Sequence, residues 1–242
     1  PNEAIAVNLI TYTVFMLLVF FYVQFGTFKT ANPVIVYAIP LLTLFVLSGA
    51  VGVNWFNYLF ERSDGQWISK KQMVLGLIGI VVGSVFAFIL SQGGLSIVDL
   101  EATIPVSLQI FNSSQITFSQ SFTLFLEMLV VAFSEEAYVI LLYKNFAYAF
   151  SSKMGIDGAK TLALILASFM FATLHWASYG TEGIPLLTGV LFAFIFSLLV
   201  IRGLSFLIFG DYDYIFTVFA HFGYDFTLLS ILPLSLIPVH FV

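Results

Sequence analysis

Glu135 and Glu136 stand side by side in FTLFLEMLVVAFSEEAYVILLYK, two i+4 steps after Glu127. Consecutive residues on a helix point about 100° apart, so the two carboxylates cannot face one small pocket in the same way. One is expected to work while its neighbour supports it. Two carboxylates this close in a low dielectric resist double ionisation, which raises the pKa of at least one and suits it to take a proton near neutrality. The alternative is an acid pair hydrogen-bonded to neighbouring helices. His175 follows Phe171 by four, which puts both on one helix face with the ring able to wall the imidazole, although a lone histidine in an apolar helix commonly serves the core. His221 and Asp225 are also four apart, so the carboxylate can reach the imidazole. That pair could equally do no more than fix its helix. Glu127 reads as structural or as lining a wet cavity, and His240 as interfacial.

These groups are conspicuous because of what surrounds them. The 242 residues are 60% hydrophobic, 18% aromatic and 9% charged, with a mean hydropathy of +1.05. Soluble domains run nearer 25% charged, so a water-soluble globular protein is excluded. A carboxylate at the bilayer centre costs about 2.5–3.5 kcal/mol on insertion scales, so each one within a span needs a reason. With Lys+Arg 8 against Asp+Glu 13, no basic cluster grips a phosphate backbone, and nucleic acid is excluded as a partner. The chain has no cysteine. Disulfides, thiolate metal sites and cysteine nucleophiles are thereby excluded, leaving carboxylate, imidazole and hydroxyl chemistry.

The elements that must position these residues are apolar runs near 5–25, 34–60, 73–90, 122–148, 161–178, 186–209, 214–226 and 227–240, the last two able to form one bent span. Long Phe- and Leu-rich runs without period-two alternation read as helices, not barrel strands. The expected fold is all-α, a polytopic transmembrane bundle of about 7–8 helices, with residues 1–242 forming a single integral membrane domain. The first run reads as a retained helix, too long for a signal-peptide core. Arg62, Lys70, Lys71, Lys144, Lys153, Lys160 and Arg202 fall in or beside alternate connections, seven of the eight basic residues on one side with only Lys29 opposite. That bias places the N-terminus in the cytoplasm and 91–121 outside. Trp55, Trp67 and Trp176 sit near run ends, as belt aromatics do.

The ordered set Glu135-Glu136, Phe171-x-x-x-His175 and His221-x-x-x-Asp225, spanning about 122–233, resembles the CPBP family of intramembrane proteases, the CAAX-protease and bacteriocin-processing group with its EExxxR, FxxxH and HxxxN motifs. The resemblance implies a glutamate-type endopeptidase of a prokaryotic cell membrane, acting on a membrane-associated or lipidated protein or peptide. It implies catalytic roles for Glu135, Glu136, His175, His221 and Asp225: Glu135 with His175 activates water, and His221 with residue 225 stabilises the oxyanion. Two positions depart from the motifs. Ile140 stands where the family has the arginine that braces the glutamates, with no arginine nearby in sequence and Lys144 one turn further on as a candidate substitute. Asp225 stands where the family has asparagine, and an ionised aspartate would repel an oxyanion unless it holds His221 as a donating cation. A second reading is therefore a catalytically inactive scaffold or immunity-type protein of the same fold. A third is a proton- or cation-coupled carrier, since intramembrane acids and histidines also mark ion pathways. No cofactor is expected, the minority alternative being a hydrolytic zinc on Glu135, His175 and His221.

Overall fold

The computed structural model describes residues 2–25, 33–52, 59, 70–92, 118–173, 191, 195 and 201–227. Among the described residues there are seven helices and no strand. They are α1 (Asn2–Phe25), α2 (Pro33–Ala50), α3 (Lys70–Gln92), α4 (Phe118–Ser151), α5 (Ile156–Thr173), α6 (Gly203–Phe209) and α7 (Tyr214–Phe226). The all-α expectation agrees with this. Helix α4 outruns its apolar stretch at both ends, and its 34 residues extend about 51 Å. The helix expected from residue 161 begins at Ile156, because polar Asp157 and Lys160 occupy its first turns without breaking it.

The chain forms two compact units, Pro1–Ser69 with Ser134–Tyr214, and Lys70–Phe133 with Ile215–Val242. In the first, α1 lies antiparallel to α4, since Asn8 pairs with Leu142 and Asn145 while Phe15 packs on Tyr138. Asn145 donates to both Asn8 Oδ1 (2.9 Å) and Ser48 Oγ (3.1 Å), tying α1, α2 and α4 together through buried amide and hydroxyl groups. Tyr12 and Thr173 share a 2.6 Å hydroxyl–hydroxyl bond that joins α1 to α5.

In the second unit α3 and α7 approach at backbone contact. A Cβ on Gly83 would lie 1.9 Å from the Ala220 carbonyl oxygen, one on Gly79 2.8 Å from that of Phe216, and one on Gly223 2.4 Å from that of Ile80. Ser84 Oγ donates to the Gly223 carbonyl at 3.2 Å across the same seam. Phe125, from the first part of α4, meets Phe222 and Phe226 edge-on at 5.0 and 5.7 Å. By helical geometry the arc of α7 carrying His221 and Asp225 lies opposite the glycine seam.

Several polar side chains are buried and several large apolar ones are exposed. Asn8, Thr11, Ser48, Glu136, Asn145 and Arg202 are all 0% exposed, whereas Val46, Leu77, Val81 and Leu207 are each more than half exposed. Among the described residues, Ile156–Thr173 is long and apolar enough to cross a membrane, and Asn2–Leu18, Ile39–Ala50 and Met73–Ile89 are shorter apolar stretches.

Candidate functional site

Helix α4 places Glu135 about 26 Å from its start and about 24 Å from its end, close to its middle. At about 100° per residue, Glu135 shares an 80° arc with Tyr138, Leu142 and Asn145, the residues facing α1. Glu136 shares a different arc with Ile140 and Tyr143. Both carboxylates are buried, at 7% and 0% exposure. The helix itself therefore gives the two acids separate environments.

Glu136 is held by a bidentate ion pair. Arg202 Nη2 donates to Oε1 at 2.6 Å and Nε to Oε2 at 3.3 Å, both side chains being inaccessible to solvent. The Tyr212 hydroxyl also donates to Oε2. The guanidinium carbon sits 4.5 Å from the centroid of the Phe171 ring, a cation–π contact, while Nη1 has no hydrogen-bond partner among the described residues. Arg202 lies in a wide π-type turn with Ile201, immediately before α6. Such turns re-aim a side chain from a helix and recur at functional sites.

The return of Tyr212 toward the same carboxylate depends on Gly210. Its φ of 68° caps α6 with its N–H on Phe206 O at 2.9 Å and turns the chain back. That left-handed conformation carries little cost for glycine and a larger one for most side chains. Asp211 then fixes the turn: it accepts from Tyr143 Oη (2.5 Å), Lys160 Nζ (2.7 Å) and the Tyr212 N–H (2.8 Å). Ser205 Oγ accepts the Asp213 N–H at 2.7 Å. Tyr143 stacks on Tyr212 with centroids 5.5 Å apart, which sets the phenol's direction. Asp211 lies between helices. Burial alone would raise its pKa, but the Lys144 charge and the hydrogen bonds from Lys160, Tyr143 and the Tyr212 N–H outweigh burial and hold it below the ordinary 3.8.

Arg202, which the sequence places toward the end of the sixth apolar run, is a fully buried partner of Glu136. Lys144 Nζ lies 5.7 Å from the centroid of the Tyr143 ring and its charge acts on Asp211, while the guanidinium paired with Glu136 is that of Arg202. Sequence distance concealed this arrangement, since 66 residues separate the partners. The available signal was that Arg202 stands inside an apolar run, where an unpaired guanidinium is costly.

In the second unit, His221 Nε2 lies 3.3 Å from Asp225 Oδ2 across one turn of α7. His221 is buried and Asp225 partly so. Phe171, expected to wall a histidine pocket, has its ring against Arg202. His175, His240, Trp55, Trp67 and Trp176 lie outside the described residues, and Glu127 lies on α4. Of the residues considered for zinc, Glu135 and His221 are described. Among the described residues, no group of three His, Cys, Asp or Glu side chains gathers as a metal set. Comparison with known proteins finds no matching family model, no matching curated protein and no matching solved structure.

Proposed function

We propose that this chain is a polytopic membrane protein, N-terminus in the cytoplasm of a prokaryotic cell, and an intramembrane glutamate-type endopeptidase acting on a membrane-associated or lipidated protein or peptide. The observation that carries the reading is the division of the glutamate pair. Arg202, Tyr212 and Phe171 balance and fix Glu136, while Glu135 stands on another arc of the same helix. The missing motif arginine, the best argument for an inactive scaffold, thus has a replacement from a different part of the chain. The buried polar groups and exposed apolar side chains support the membrane setting, because lipid solvates the latter and leaves the former to pair internally.

In this reading Glu135, with His175, takes a proton from water as the oxygen adds to the scissile carbonyl carbon. His221, held by Asp225, donates to the oxyanion. Collapse of the tetrahedral intermediate breaks the C–N bond and returns the proton to the leaving amine. The test compares membrane-associated peptides from cells expressing wild type with those from cells expressing Glu135→Gln at matched protein levels. Fragments present only with wild type support the reading. Identical profiles, with the variant folded, favour the scaffold alternative.

A further inference from the structure

The seam between α1 and α4 holds more polar capacity than its own side chains consume. Thr11 Oγ1, Tyr138 Oη and Asn145 Oδ1 are buried and, among the described residues, have no hydrogen-bond partner. They sit beside the network in which Asn145 bonds Asn8 and Ser48, and Asn8 Nδ2 donates to the Leu142 carbonyl at 3.0 Å. Buried polar atoms in native proteins are nearly always satisfied, and where protein groups are lacking the partner is ordered water bonded to two to four of them. Three such atoms along one interhelical seam are the chemistry of a hydrated column, not of a dry apolar contact.

The column has a direction. Asn145 is about 9 Å along α4 from Ser151, and the end of α4, the turn after it and the start of α5, residues 151–158, are exposed. From Asn145 the polar arc runs through the Leu142 carbonyl and Tyr138 to Glu135, about 15 Å further into the helix. Its α1 side is Asn8, Thr11 and Phe15, in antiparallel register. Hydrolysis within a bilayer consumes one water per bond cut, and the hydrocarbon does not supply it. We propose that the α1–α4 seam binds a line of ordered waters between Thr11, Tyr138 and Asn145 and delivers water along this arc to Glu135. The delivery role rests on the reading of Glu135 as the group that activates water; the binding of water does not.

Radiolytic hydroxyl-radical footprinting of the intact protein in detergent tests this, because bound water produces the radical where it sits. Tyr138, although buried, is expected to be modified about tenfold faster than Phe216, which is also buried. Thr11→Val, which keeps side-chain shape, is expected to slow Tyr138 modification several-fold while the thermal midpoint stays near wild type. Tyr138 modified no faster than Phe216 means a dry seam and overturns the inference, whether or not the chain is a protease. Fast modification unaffected by both Thr11→Val and Asn145→Leu places the water elsewhere and overturns it too. If the seam is hydrated but Glu135→Gln leaves the peptide profile unchanged, the peptidase reading fails and the water site stands.

Discussion

Arg202 is the residue on which the candidate site turns. Removing one partner of a buried ion pair leaves an uncompensated charge and typically costs about 3–5 kcal/mol. Arg202→Leu is expected to destabilise the protein by about that much in chemical denaturation, and Glu136→Gln combined with Arg202→Leu by clearly less, since the pair is then removed together. Ile140 lies one turn from Glu136 on the same arc, so Ile140→Arg is expected to recover a large part of the loss in the Arg202→Leu background. No recovery would mean that a cation from α4 cannot reach Glu136 as Arg202 does. At this scale the sequence was partly legible. The spacing of His221 and Asp225 foretold their proximity, because i,i+4 partners meet on any helix. The ion pair across 66 residues was not, since helical periodicity carries no information on which helix supplies a partner.

At the scale of elements, the α3–α7 seam and the 210–213 turn do the positioning. Gly83→Ala would drive a methyl into the Ala220 carbonyl, and overpacking of this kind costs about 1–3 kcal/mol or more. Gly158→Ala meets only ordinary contact with Met154 and is expected to stabilise α5 by about 0.5–1 kcal/mol. Denaturation of the two variants beside wild type checks the contrast. In the 210–213 turn, a folded pKa below the unfolded one means that Asp211 contributes stability above its unfolded pKa and loses it as pH falls through the folded value. The thermal midpoint is expected to drop as pH is lowered below about 4, and the drop should be shallower in Asp211→Asn. Apolar run length located α1, α3, α4 and α7 well. It misplaced the start of α5, where helical propensity continues through polar residues that hydropathy alone assigns to a connection.

At the scale of the whole molecule, a composition of 9% charged and 60% hydrophobic residues goes with exposed apolar side chains such as Val46, Leu77 and Leu207, and with Asn8, Ser48, Glu136, Asn145 and Arg202 buried. Breaking a fully buried polar contact such as Arg202–Glu136 is expected to register in global unfolding, because the partner left behind is buried without its counter-charge. The division of the glutamate pair therefore has a reading in the stability of the whole chain. Glu135→Gln and Glu136→Gln would be purified in one detergent and melted beside wild type. The account predicts that Glu136→Gln, which leaves Arg202 buried without its counter-charge, melts lower by roughly 6 °C or more, and that Glu135→Gln loses clearly less. Equal losses, or a larger loss for Glu135→Gln, would contradict the assignment of Glu136 as the brace and Glu135 as the working acid.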